Sequence, residues 1–217
     1  MHKRALLVGA ILVSSGAAYA EGVAVGAKVS TLGMGVELTK SFSENINGRL
    51  GFNKWSTERT GTEGDINYEI DVGLRTVGAM VDWYAFSGGF RVSGGLMSNG
   101  NEINLTGTSS ATYQVGDVTY TAAEVGTLAG VIDFESTAPY LGIGWGNPVA
   151  KDKGFGMILD VGVMFQGSPA VELSTTGTLA NDATFQAELE QEEASLESDL
   201  DSFKYWPVVA IGVSYQF

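Results

Sequence analysis

The feature that most constrains this chain is a two-faced alternation repeated over segments of about ten residues, with no segment beyond the start offering the roughly 20 consecutive apolar residues of a spanning helix. From Phe155 to Phe165 one face is wholly apolar, while the other carries Gly156, Asp160 and Gly162. Ile46 to Trp55 sets Ile46, Leu50 and Phe52 against Asn47, Arg49, Gly51 and Asn53. Ile66 to Leu74 sets Ile66, Tyr68, Ile70, Val72 and Leu74 against Asn67, Glu69, Asp71 and Gly73. Phe90 to Asn99 repeats the pattern. In water such an apolar face needs a second layer; in a bilayer it is the outer wall of a closed barrel, whose backbone groups are all paired. Glycine, 30 of 217 residues, is spread through the polar faces without a period, which suits bends and close approach inside a wall.

The first twenty residues predict export. His2, Lys3 and Arg4 give a basic start, Ala5 to Val13 an apolar middle, and Ala18-Tyr19-Ala20 a small-residue cleavage site. The expected division is a signal peptide at 1–20 and one barrel domain at 21–217, beginning at Glu21. Cleavage takes away Lys3 and Arg4 and no acid, so the formal charge of −13 becomes −15. That sign disfavours nucleic acid as a partner. The chain has no cysteine, and its one histidine, His2, leaves with the signal. Thiolate metal sites, disulfides and histidine-dependent catalysis are thereby excluded from the mature protein; no catalytic residue, metal ligand or cofactor is assigned, and a non-enzyme is expected.

The connections Ser43-Glu44-Asn45, Phe86-Ser87-Gly88-Gly89 and Asn147 to Lys153 are short and turn-like, which puts them on the periplasmic side. Val23, Val25, Ala27 and Val29 are odd-numbered, whereas Leu32, Met34, Val36 and Leu38 are even. A turn near Thr31-Leu32-Gly33 explains the slip, or else a bulge in one long strand, with Val171-Glu172-Leu173-Ser174 then joining the membrane wall. Either way the expectation is an all-β, single antiparallel transmembrane barrel of eight strands. Phe185 to Phe203 breaks the alternation, spacing Phe185, Leu189, Leu196, Leu200 and Phe203 as an amphipathic helix in the last extracellular loop. Tyr113 to Tyr120 reads as a hairpin with Gly116-Asp117 at its tip, and Trp55, Trp83, Tyr84, Trp145, Tyr205 and Trp206 read as interface girdles.

The inward face is expected to gather Lys28, Glu37, Arg49, Glu69, Asp71, Arg75, Asp82, Arg91 and Asp160. Four cations and five anions in a narrow interior need partners, so a salt-bridged plug is weighed above a transport path or a metal site, although Glu69 and Asp71, two apart, have the spacing to share an ion. A structural or surface-interaction barrel, monomeric and in contact with outer-membrane lipids and lipopolysaccharide, is the leading reading; the alternative is a narrow channel or passage for small or hydrophobic solutes.

The last strand ends on Phe217 with Tyr215, Val213, Ile211 and Val209 on one face. It resembles the terminal signal by which barrel-assembly machinery recognises outer-membrane proteins, which implies that machinery as a partner in biogenesis. Gly144-Trp145-Gly146-Asn147, Phe165-Gln166-Gly167-Ser168-Pro169 and Phe203-Lys204-Tyr205-Trp206-Pro207 resemble elements of a family of proteobacterial outer-membrane proteins, over about the last third of the chain. In architecture the mature chain resembles the eight-stranded group typified by the OmpA membrane domain.

Overall fold

A computed structural model describes residues 22–63, 66–86, 88–109, 111–115, 118–149 and 153–217. The cleavage site before Glu21 and the Gly116-Asp117 tip lie outside the described residues, and so does part of the Asn147 to Lys153 connection. No described helix is long and apolar enough to cross a membrane.

The strands are β1 Val23–Ser30, β2 Gly33–Ser43, β3 Ile46–Glu63, β4 Ile66–Trp83, β5 Phe90–Asn99, β6 Glu102–Ser109, β7 Thr112–Val115, β8 Val118–Thr121, β9 Thr127–Asp133, β10 Thr137–Trp145, β11 Gly154–Phe165, β12 Ala170–Thr175 and β13 Tyr205–Gln216. Antiparallel pairing runs from β1 through β2, β3, β4, β5, β10, β11 and β13, and β13 pairs again with β1 through Ala24–Gln216 to Ser30–Ala210. The sheet is thus closed, without an edge along that circuit. The slip of phase after Ser30 is a two-residue turn at Thr31 and Leu32, since Ser30 pairs with Gly33. Val171 to Ser174 belongs to β12, which pairs with β9 and not with the closed wall.

The wall is apolar outside. Val29, Leu50, Leu96, Leu141, Ile143, Met157, Ile211 and Val213 are all exposed on outward positions, with Trp83, Trp145 and Tyr205 at strand ends. The other aromatic residues assigned to girdles lie elsewhere. Tyr84 is buried inside the barrel, where it accepts a hydrogen bond from Asn47 Nδ2 at 3.2 Å. Trp206 packs on an interior apolar cluster of Leu32, Met80, Met97, Ala138, Tyr140, Met164 and Val208. Trp55 is exposed, on the inward-pointing phase of β3 above the closed part.

β3 and β4 outlast the barrel. The lower half of β4 pairs with β5 from Thr76–Asn99 to Trp83–Val92, and its upper half pairs with β6 from Ile66–Ser109 to Gly73–Glu102. β6 passes the pairing to β9, and β9 to β12, so a second sheet stands on the barrel rim. Its free edge, β12, is covered by α2, Ala183–Asp199, which Asp182 caps by accepting from the Thr184 and Phe185 amides at 3.0 Å each. Glu197 and Glu193 accept from the amides of Val171 and Leu173, at 3.0 and 2.6 Å. The rise of four helical residues, about 6 Å, nearly equals that of two strand residues, about 7 Å, so two carboxylates on one helix face meet alternate edge donors. Phe185 and Leu189 of α2 form a second core with Tyr113 and Val115 of β7 and with Val125 of the short helix α1, Ala122–Val125.

Candidate functional site

The closed part of the barrel contains six interlocked charges, supplied by six different strands. Lys28 on β1 meets Glu37 on β2 at 2.8 Å; Arg49 on β3 meets Glu37 at 3.4 Å, Asp82 on β4 at 3.0 Å and Asp160 on β11 at 3.0 Å. Arg91 on β5 meets Asp160 at 2.7 Å and Asp82 at 3.7 Å. Arg91 is fully buried and Arg49 all but fully. Charges so buried persist only when they are paired and hydrogen-bonded, and here three cations face three anions. Neutral groups add to the network: Ser93 donates to Asp82 at 2.5 Å and accepts from Arg49 at 3.3 Å, while Arg91 donates to the Gly146 carbonyl.

The register of β10 explains how Arg91 and Asp160 meet across an intervening strand. Gly144 is the partner of Arg91 on one side and of Asp160 on the other. A Cβ there would lie 2.8 Å from both the guanidinium carbon of Arg91 and a carboxylate oxygen of Asp160. Glycine leaves the gap that the ion pair closes. Gly142 and Gly162, paired with each other, similarly accommodate the Tyr140 ring: a Cβ would stand 2.4 and 2.6 Å from its hydroxyl.

Glu69, Asp71 and Arg75, assigned to the same inward face, are not part of the network. All three are exposed on the outward phase of β4 and form no ion pair among the described residues. The reason is geometric. β4 runs without a bulge from Ile66 to Trp83 against β3, so buried Asp82, Met80 and Thr76 put every even position inside and every odd position outside. No group of three or more metal-ligating side chains occurs among the described residues, so Glu69 and Asp71 build no ion site with a third ligand.

Above the charges, the apolar cluster around Met80, Met97 and Tyr140 fills the interior toward the rim. The cavity left between the layers, lined by Lys28, Arg49, Asn53, Asp160 and Tyr140 among others, measures ≈10 Å³, about the room one water needs. The alternation sets Asn47 and Ser93 on the polar face without showing that they join the charges, Tyr84 is assigned to a girdle and not to the interior, and the place of Gly144 is legible only once three strands are in register.

At the other end of the wall, Val209, Ile211, Val213 and Tyr215 of β13 face outward, and the Tyr215 ring meets those of Phe155 at 5.0 Å and Phe217 at 5.4 Å. The Phe217 amide donates to Val23, tying the last residue to the first strand.

No protein-family model matches the chain, and no curated protein matches it. Among solved structures it is similar to CarO2 of Acinetobacter baumannii, at 21% identity and a TM-score of 0.59, covering 90% of this chain and 98% of that one. It is similar also to CarO of the same organism, at 23% identity and a TM-score of 0.57 over the same shares. These are outer-membrane β-barrel proteins. At such identity the likeness speaks for a shared barrel fold.

Proposed function

We propose that this chain is an integral outer-membrane barrel of eight wall strands with a structural or surface-interaction role, closed to free passage by its own side chains and presenting the second sheet, the β7–β8 hairpin and α2 at the cell surface. The observation that carries the reading is the disposition of faces around one closed circuit, apolar residues exposed on the outside and a six-charge network buried inside. Only a low-dielectric surround makes that arrangement favourable, because in water the same wall would expose a continuous apolar band. Export through cleavage before Glu21, recognition of the β13 terminus by assembly machinery, a monomeric state and the absence of enzymatic chemistry belong to the same reading.

The test is flotation of the full chain with outer membranes, together with planar-bilayer conductance. The expected outcome is a folded species extracted only by detergent and lacking steady current. Large steady currents would promote the channel reading instead, and a protein that stays soluble without detergent would overturn the membrane reading.

A further inference from the structure

Lys54 of β3 and Arg75 of β4 are direct cross-strand partners. Behind them, inside the wall, Asn53 and Thr76 are also partners, both buried and joined by a 3.0 Å hydrogen bond from Asn53 Nδ2 to Thr76 Oγ1. Lys54 and Arg75 therefore point outward, and both are exposed. Directly opposed side chains stand about 5 Å apart at Cβ, where like charges repel. Neither has a carboxylate within ion-pairing distance among the described residues, although acids outnumber bases 25 to 12 in the chain. Glu102, opposite Gly73 and one step along the outward face, has its carboxylate engaged by Asn104 at 2.6 Å. Lys204, a cation of the same rim, shows the contrast, being paired with Asp201 at 2.6 Å.

The position along the strands identifies what neutralises the pair. Below it on the outward face stand Phe52 and Leu50 on β3 and Val77 and Val81 on β4, all exposed and apolar; above it come Ser56, Glu58, Asp71 and Glu69. Two unpaired cations thus mark the line where the apolar wall ends. We propose that Lys54 and Arg75 together bind the phosphate of an anionic lipid headgroup at the upper rim of the barrel, an inference that rests on the membrane reading above. The planar Arg fork offers two parallel donors to phosphate oxygens and Lys a mobile point charge, and the aliphatic stem of each is long enough to lie on the apolar wall with its head at the level of a headgroup. The acids farther up the same face repel a second anion and confine the site to the rim.

The test uses the full chain, refolded into phosphatidylcholine vesicles containing a minority of phosphatidic acid, with bound lipid counted by native mass spectrometry after gentle extraction. Wild type should retain phosphatidic acid over phosphatidylcholine. Lys54→Gln with Arg75→Gln should lower that preference by at least about tenfold, as loss of charge-assisted hydrogen bonds implies, each single change by less, and Lys54→Arg should preserve it. Lys40→Gln, at the opposite rim, should leave it unaltered. Excess inorganic phosphate should compete poorly, since it lacks the acyl chains that the wall holds; displacement by phosphate at parity would assign the site to free phosphate and overturn the lipid. A folded double variant that retains phosphatidic acid like wild type overturns the site alone, whereas failure of wild type to insert into any vesicle overturns the membrane reading beneath it.

Discussion

The lower and upper halves of β3 and β4 share strands, pairing and parity, yet they reverse polarity. Below the rim the inward face of β4 carries Thr76, Gly78, Met80 and Asp82 and the outward face Val77, Ala79, Val81 and Trp83; above it the inward phase carries Leu74, Val72, Ile70 and Tyr68 and the outward phase Arg75, Gly73, Asp71 and Glu69. On β3 the outward face changes in the same way, from Leu50 and Phe52 to Lys54, Ser56 and Glu58. A strand has a period of two throughout, so only the surroundings decide which of its faces is apolar. On the proposed membrane reading the lower half has hydrocarbon outside, whereas the upper half turns charged and polar residues outward to water and leaves Leu74, Val72 and Ile70 half-buried on the inward phase.

The largest break of that comparison falls on the inward phase of β3. Arg49→Ala leaves Glu37, Asp82 and Asp160 without their shared cation, and stripping one partner from a buried network costs about 3 to 5 kcal/mol. Arg59→Ala, farther up the same face but exposed, should stay within about 0.5 kcal/mol of wild type. Thermal unfolding of both variants in one detergent decides the matter, and equal shifts would show that the two halves do not differ. On the outward phase, Leu50→Arg places a charge against lipid at a cost of about 2 to 4 kcal/mol near the midplane. Thr60→Arg, on the same face above the rim, should assemble into vesicles like wild type; matching defects would remove the boundary from between them.

The same reversal explains what could be read from the residues beforehand. The wall strands were legible because glycine or charge alternates with apolar residues over a length suited to a bilayer, as in Phe155 to Phe165. Asp82, Arg49 and Arg91 were legible as inward charges for the same reason. Glu69, Asp71 and Arg75 were misplaced by the rule that the apolar face looks outward, which holds below Arg75 and fails above it. Ile66 to Leu74 alternates as cleanly as any wall strand, and nothing local marks the change of solvent. Tyr84 and Trp206 failed for a related reason, since an aromatic residue at a strand end satisfies a girdle and an interior equally well. The spacing of Phe185 and Leu189 marks a helix, but that helix ends at Asp199 and leaves Leu200 and Phe203 beyond it, and Glu193 and Glu197 serve as acceptors for a sheet edge that only the tertiary fold creates.

That edge provides a smaller test of the upper half. Glu193→Ala and Glu197→Ala should each lower the opening free energy at the amides of Leu173 and Val171 by about 1 kcal/mol, the worth of a hydrogen bond. The effect should appear in hydrogen exchange as faster loss at β12, with the barrel melting point unmoved, because a peripheral unit opens on its own. Barrel unfolding that follows these changes would mean that cap and wall form one cooperative body.

The smallest effect concerns the pH range over which the cap holds. The Tyr120 hydroxyl donates to Glu188 of α2, and its ring meets Phe185 edge-on at 4.8 Å. That hydrogen bond above all, with burial and the neighbouring carboxylates adding to it, pushes the phenol up from 10.0 to about 12. The open cap would lose this proton near its ordinary value while the closed cap keeps it, so the contribution is complete below pH 10 and is lost as pH rises through about 12. Glu124 has the opposite sign. Hydrogen bonds from the Thr121 amide and then the Thr121 hydroxyl hold its carboxyl below the ordinary 4.5, so its contribution is present above that value and is lost as pH falls. Both groups are solvent-accessible, which keeps the effects small and salt-sensitive. Protection of the Phe185 and Leu189 amides, taken relative to intrinsic exchange at each pH, should therefore fall at both ends of the pH range, more at low salt. Tyr120→Phe should abolish the alkaline loss of protection, and Glu124→Gln should abolish the acid one. A difference titration in which the tyrosinate lost in Tyr120→Phe appears near the ordinary 10.0 and not near 12 would show that this hydroxyl does not hold α2 against the hairpin.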